Sequence, residues 1–218
     1  MNTVFIYPER CIGCKQCEAA CAVAHSQSKN LFWAVFETPA PKQRIHAEPG
    51  LEMNTSFPNK CRHCDPAPCQ LVCPTGAIHR SADHPEIVLV EARKCIACAM
   101  CAMVCPFDVL TYFASSAAPD KKMVAIKCDQ CIERQRQGLI PACVEACKVG
   151  ALEFGDLNEL VKAARVRYSE RTLHSVGPAQ PPLESVPLPV SIEIWRGWGA
   201  AVTQLNADGG AAVAEKGA

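Results

Sequence analysis

The chain has 218 residues, with 22 Lys+Arg balancing 22 Asp+Glu, and it carries 16 cysteines. A formal net charge of zero gives no electrostatic reason to bind nucleic acid or an anionic membrane surface. The chain is too long for a small disulfide scaffold, and neither a secretory leader, a twin-arginine signal nor a bilayer-spanning apolar run is read in it. The expected location is therefore the cytoplasm, where thiols stay reduced and metal ligation is their natural use.

Taken in chain order, the first element is a strand over "TVFIY", which is rich in β-formers. It leads into Cys11, Cys14, Cys17 and Cys21, spaced by two, two and three residues. Residues 22–57 then interrupt the pattern. Here "NLFWAVFETPAP" reads as an apolar strand ended by proline and "KQRIHAEPG" as a turn, with Phe32, Trp33 and Phe36 expected in the core or covering it. The second group is Cys61, Cys64, Cys69 and Cys73, with four residues in its middle gap and Pro74 after it. "CPTGAIHR" follows, and Gly76 is placed where a positive φ releases the chain into a strand.

The strand "EIVLVE" leads into the third group, Cys95, Cys98, Cys101 and Cys105, followed by Pro106 and the strand-forming "CPFDVLTYF". The strand "KMVAIK" leads into the fourth, Cys128, Cys131, Cys143 and Cys147, whose middle gap holds eleven residues. "CKVGALEFG" closes it, with Gly150 in the role of Gly76. The unit of strand, cysteine loop, short helix, turn and strand thus recurs, which marks an internal repeat. Residues 156–175 carry Leu157, Leu160, Val161, Ala164 and Tyr168 at helical spacing, with Asp156 as N-cap. A proline-rich extended linker, "VGPAQPPLESVPLPV", comes next. After it stand the apolar "SIEIWRGWGAAVTQL" and "NADGGAAVAEKGA", which is expected to be disordered.

The four groups use every cysteine. Groups one and three have the C-x2-C-x2-C-x3-C spacing of bacterial ferredoxins, and groups two and four lengthen one gap. A tight loop with a cysteine at every third residue wraps three corners of a cubane cluster, and its backbone N–H groups face the anionic sulfides. The fourth cysteine is expected at the start of a helical turn, pointing to a neighbouring cluster. Structural zinc usually needs two Cys pairs a dozen or more residues apart to close one tetrahedron. The spacing therefore predicts four [4Fe–4S] clusters, with a zinc-stabilised interaction module as the reading from another class. His63, between two ligands, is expected to be a hydrogen-bonding residue because the cysteines already complete the count. Asp129 and the apolar "CIACAMC" are expected to disfavour cluster reduction and Arg62 to favour it, while "RQRQ" reads equally as charge compensation or as a solvated face.

"FPNKCRHCDPAPCQLVCPTGAI", "EARKCIACAMCAMVCPFDVL" and "IKCDQCIERQRQGLIPACVEACKVGALEFGD" resemble the four-cluster polyferredoxin subunits that accompany molybdenum or tungsten oxidoreductases, hydrogenases and carbon monoxide dehydrogenase. The resemblance covers residues 3–157 and departs at Lys148 and Ala22, where the family pattern differs. It implies an α+β fold of two ferredoxin-like lobes, one from 1–57 with 123–157 and one from 58–122, followed by a helix, linker and docking tail over 158–218. It also implies crossed ligation. Cys11, Cys14 and Cys17 would take Cys147, while Cys128, Cys131 and Cys143 would take Cys21. Cys61, Cys64 and Cys69 would take Cys105, while Cys95, Cys98 and Cys101 would take Cys73.

Clusters with four cysteine ligands leave no open position for substrate, and the chain has no Ser/His/Asp set, nucleotide-binding glycine loop or C-x3-C-x2-C motif. The expected role is an electron wire rather than an enzyme, serving a catalytic oxidoreductase subunit and a second redox partner. The overall resemblance leans toward a tungsten or molybdenum aldehyde oxidoreductase, with formate dehydrogenase, hydrogenase and carbon monoxide dehydrogenase as alternatives. Ile192, Ile194, Trp195 and Trp198 are expected to dock the tail onto the catalytic subunit or onto a second copy of the chain. The alternative is that the tail folds back on its own body.

Overall fold

The computed structural model describes residues 2–51, 55–118 and 122–176. The proline-rich stretch from 177 and Ile192, Ile194, Trp195 and Trp198 lie outside the described residues. The chain divides into two compact units, Met1–Ala164 and Arg165–Ala218. Among the described residues, no helix is long and apolar enough to cross a membrane.

The fold is α+β and, among the described residues, is built from four antiparallel strand pairs, three of them hairpins. β1 (Asn2–Ile6) pairs with β8 (Leu152–Asp156), β2 (Ile45–Pro49) with β3 (Ser56–Lys60), β4 (Ile78–Arg80) with β5 (Val88–Val90), and β6 (Thr111–Ala114) with β7 (Met123–Ile126). Each hairpin joins the strand leaving one cysteine group to the strand entering the next. The pair β1–β8 joins the fourth group back to the first, so the repeat closes on itself and ties the two ends of the first unit together.

Between the strands lie short helices. These are α1 (Gln16–Ala24), α2 (Leu31–Ala34), α3 (Pro68–Leu71), α4 (Met100–Met103), α5 (Ile132–Arg136) and α6 (Ala142–Glu145). The third cysteine of every group is the second residue of a helix: Cys17 in α1, Cys69 in α3, Cys101 in α4 and Cys143 in α6. The fourth cysteine comes one turn later, still inside α1 for Cys21 and just past the helix end for Cys73, Cys105 and Cys147, and not at the start of a helical turn as expected. A single helical turn is what carries it beyond its own loop. α7 (Leu157–Val176) begins at Asp156, whose Oδ1 accepts from Asn158 N at 2.9 Å and Glu159 N at 3.4 Å, as the sequence led us to expect of its N-cap. Leu157, Leu160 and Ala164 are half-buried, whereas Tyr168 is exposed.

The apolar core is small and partly made of sulfur. Val4, Ile45, Ala47 and Leu152 pack with Cys17, Cys21 and Cys143. A second cluster joins Ile78, Val88, Val124 and Ala125 to Cys95 and Cys101. A third consists of Cys61, Val109 and Cys128, from the second and fourth groups and the turn after the third.

The segment 30–49 differs from expectation. "NLFW" is not a strand, because Asn30 caps a helical turn: its side-chain oxygen accepts from Phe32 N at 2.9 Å and Trp33 N at 3.4 Å. Phe32, Trp33 and Phe36 are 79%, 67% and 79% exposed, so they are neither core nor cover. "KQRIHAEPG" holds a strand rather than a turn. Ile45 and Ala47 alternate inward with a period of two and are buried, which gives β2 an inner face for β3 to extend.

Replacing Leu152, which is 2% exposed, by Ala removes the residue that packs the β1–β8 pair onto the sulfur-lined core. The expected cost is about 3 kcal/mol. Hydrogen exchange should speed up at the amides of β1 and β8 while those of β4 and β5 stay protected.

Candidate metal centres

Each group opens with the same turn. The residue before the second cysteine is left-handed in all four: Gly13 (φ 69°), His63 (51°), Ala97 (54°) and Gln130 (54°). This conformation turns successive N–H groups inward. His63 N lies 3.4 Å from Cys61 Sγ, Ala97 N 3.5 Å from Cys95 Sγ, and Gln130 N 3.4 Å from Cys128 Sγ, each donating to the sulfur. At Gly13 a side chain would also crowd Ser56, since a Cβ there would stand 3.3 Å from Ser56 Cβ. After the fourth cysteine a second left-handed residue recurs, at Gly76 (62°), Asp108 (50°) and Gly150 (63°), and releases the chain into the next strand.

The cysteines meet across groups. One cavity is ringed by Cys61, Cys64, Cys69 and Cys105, and another by Cys73, Cys95, Cys98 and Cys101. Cys21, near the end of α1, sits among Cys128, Cys131 and Cys143, each close enough to act on its charge or be acted on by it. Cys17 lies with Cys11 and Cys14, and Cys147 packs against the core that includes Cys17. Burial pushes the Cys17 and Cys131 thiols up to about 11 and raises Cys21 and Cys143 as well. Metal ligation at these sites therefore displaces protons. Exposure differs among the thiols: Cys14 and Cys98 are exposed, Cys17, Cys21, Cys61, Cys95, Cys101, Cys128, Cys131 and Cys143 are buried, and the rest are half-buried.

Other groups approach the sulfurs. Tyr112 Oη lies 3.0 Å from Cys101 Sγ, and burial, then this sulfur, push the phenol up; against a thiolate ligand the hydroxyl would donate. Arg44 N donates to Cys21 Sγ at 3.2 Å and Ala125 N to Cys95 Sγ at 3.3 Å. His63 is 3% exposed and lines the cavity of Cys61, Cys64, Cys69 and Cys105. Burial, with Lys127 and Lys60 beside it, pushes its imidazole down to about 2. Its Nδ1 accepts from Val88 N at 3.0 Å, so the proton sits on Nε2, which has no hydrogen-bond partner among the described residues. A buried, unpaired donor on the wall of a four-thiol cavity suits an anionic sulfide-rich group. The donor set of thiols and inward N–H groups fits [4Fe–4S] in the same way.

His25, Asp129 and Cys131 also come together. Their geometry is that of an ion-pair network. Asp129 accepts from His25 Nε2 at 3.0 Å, from Cys131 N at 2.9 Å and from Arg44 Nη1. Burial alone would raise this carboxyl, but His25 and Arg44 hold it well below the usual range. The network pins residues 25–44 to the fourth group and offsets the charge that was expected to oppose reduction there. Arg62 donates to Lys60 O and stacks over the Phe57 and Phe107 rings. In "RQRQ", Arg134 pairs with Glu145, and Arg136 with Glu133 and Asp83, which makes this a solvated ion-paired face. "CIACAMC" is apolar but not dry, since Ile96 and Cys98 are exposed. The buried lysines Lys60 and Lys127 carry no motif signal beyond standing one residue before a cysteine, and sequence reasoning passed over them.

A family model described as a 4Fe-4S dicluster domain matches residues 53–157. An iron-sulfur protein of Rhodospirillum rubrum is 40% identical over 167 residues, covering 72% of this chain and 84% of that protein. The B subunit of the anaerobic dimethyl sulfoxide reductase of Haemophilus influenzae is 35% identical over 177 residues, covering 79% of this chain and 80% of that subunit. The thiosulfate reductase electron transfer subunit PhsB of Salmonella typhi is 36% identical over 152 residues, covering 69% and 73%. With its cysteines gathered in this way and its relatives matched over most of their length, the chain belongs to the iron–sulfur electron-transfer subunits that carry a 4Fe-4S dicluster domain.

Proposed function

We propose that the chain is a four-centre electron conductor that works docked to a catalytic oxidoreductase subunit. The observation that carries this reading is the row of cysteine sets. A centre of Cys11, Cys14, Cys17 and Cys147 would stand beside one of Cys128, Cys131, Cys143 and Cys21, because Cys17, Cys21 and Cys143 pack in one core. The latter set meets Cys61, Cys64, Cys69 and Cys105 through Cys61 and Cys128. That set in turn meets Cys95, Cys98, Cys101 and Cys73 within the core formed around Cys95 and Cys101. The row begins near exposed Cys14 and ends near exposed Cys98, so electrons have an entry and an exit at the surface. Each bound [4Fe–4S] cluster supplies one reversible one-electron step. The loops hold the ligands and direct N–H groups at the sulfurs, and the left-handed turns keep those groups in place before any electron arrives.

Docking is supported by the exposed apolar turn at Leu31, Phe32, Trp33, Val35 and Phe36, since contiguous apolar surface marks interaction sites. Leu31 also borders an open groove of about 560 Å³ walled by the alanines of α1 and α6. Two of the named relatives are subunits of a dimethyl sulfoxide reductase and a thiosulfate reductase, the third is named only as an iron-sulfur protein, and none of them points to an aldehyde oxidoreductase. The tungsten or molybdenum aldehyde oxidoreductase therefore stands as one candidate partner beside reductases of these kinds. Mass spectrometry of the large subunit that co-purifies with the chain identifies which one it is.

Anaerobically purified protein should contain about sixteen iron and about sixteen acid-labile sulfide per chain and bleach with dithionite. Stoichiometric zinc with little iron would falsify the reading.

Cys21→Ala should damage the centre held by Cys128, Cys131 and Cys143 and leave that of Cys11, Cys14 and Cys17 intact. EPR of the reduced variant reads this directly. Loss confined to the centre of its own group contradicts the crossed ligation.

A further inference from the structure

A basic residue stands immediately before each cysteine group: Arg10, Lys60, Lys94 and Lys127. The four are not alike. Arg10 pairs with Glu153 at 3.1 Å, and Lys94 with Glu91 at 2.8 Å. Lys60 and Lys127 are 1% and 3% exposed, and neither meets a carboxylate among the described residues. Each ammonium donates to the carbonyl of the cysteine that follows it, at 3.2 Å, and Lys127 also donates to Val88 O. Neutral carbonyls do not compensate a buried cation, which is costly without an anion beside it.

The anions that these lysines face belong to the opposite groups. Lys127 precedes the fourth group, yet it lines the cavity of Cys61, Cys64, Cys69 and Cys105, and its charge acts on Cys69. Lys60 precedes the second group; burial pushes its ammonium down, and the sulfur that most opposes this is Cys128, with Cys143 next and its own neighbour Cys61 last. Conversely, Lys60 is the cation acting on Cys128. Cys61 and Cys128, whose carbonyls accept from the two lysines, share a core with Val109.

We infer that Lys60 and Lys127 are crossed counter-ions of the two inner centres, each holding up the reduction potential of the centre nucleated by the other's group. Lys60 serves the centre of Cys128, Cys131, Cys143 and Cys21. Lys127 serves the centre of Cys61, Cys64, Cys69 and Cys105. The inference rests on the four-centre reading above. Reduction adds one electron, and so one negative charge, to a centre; a fixed cation in a water-poor interior stabilises that charge more than it could in solvent. The outer centres lack this device, because Arg10 and Lys94 are already neutralised by surface carboxylates.

The test is an EPR-monitored redox titration of the holoprotein in Lys60→Gln and Lys127→Gln, with Lys→Arg at each position to restore charge. Cys131→Ala and Cys64→Ala assign the signals of the two inner centres. In Lys60→Gln the reduced-to-oxidised ratio of the Cys128 centre at a fixed potential should fall by about tenfold, equivalent to about 59 mV for one electron. The Cys61 centre should move less. Lys127→Gln should do the reverse, and the Arg variants should recover the wild-type values. Shifts that stay with the lysine's own group, or no shift with iron content retained, overturn the inference. If one Gln variant loses iron, the other decides, because each crossing is read separately. Loss of iron in both makes the lysines structural and also overturns it. Fewer than four centres in the wild-type protein defeats the underlying reading before any lysine is replaced.

Discussion

The structure depends on one local arrangement, the left-handed turn that aims backbone N–H groups at a cysteine sulfur. Three of the four residues that adopt it, His63, Ala97 and Gln130, are not glycine. Each bears a steric cost of roughly 1–2 kcal/mol for that conformation. The chain bears it because N–H donors fixed in advance meet an anionic centre without reorganising. A loop free to relax would turn them to water. At Gly13 the turn also passes close to Ser56, and a Cβ there would stand 3.3 Å from Ser56 Cβ.

The turns fix the loops, and the hairpins fix the loops relative to each other. A strand leaving one group pairs with the strand entering the next, around a ring closed by β1 and β8. Because the third cysteine sits at the second position of a short helix, the fourth emerges one turn later and reaches beyond its own loop. Cys14 and Cys98 are exposed, whereas Cys21, Cys128, Cys131 and Cys143 are all buried.

Zero net charge conceals a sorting of charge. Carboxylates lie mostly at the surface and pair with Arg10, Arg80, Lys94, Arg134 and Arg136. The buried carboxylate of Asp129 is balanced by Arg44 and His25. What remains inside without a carboxylate, among the described residues, is the pair Lys60 and Lys127, next to sulfur. His63 stays neutral between them, with its Nε2 proton facing no acceptor among the described residues.

The cysteine spacing, read alone, determined the cofactor class, the four-fold repeat and the left-handed turns at Gly76 and Gly150, because these follow from contacts within a dozen residues. It also placed the strands that border three of the groups, where Val and Ile dominate. It could not place residues 30–49, where an Asn30 cap and a two-residue alternation at Ile45 and Ala47 compete with an apolar run that looks like a strand. Nor could it rank the basic residues before the cysteines, which look equivalent at Arg10, Lys60, Lys94 and Lys127. Only the tertiary structure separates them. Whether a cation is neutralised by a carboxylate or sealed beside sulfur depends on which distant segment packs over it, and that contact leaves no mark in the local pattern.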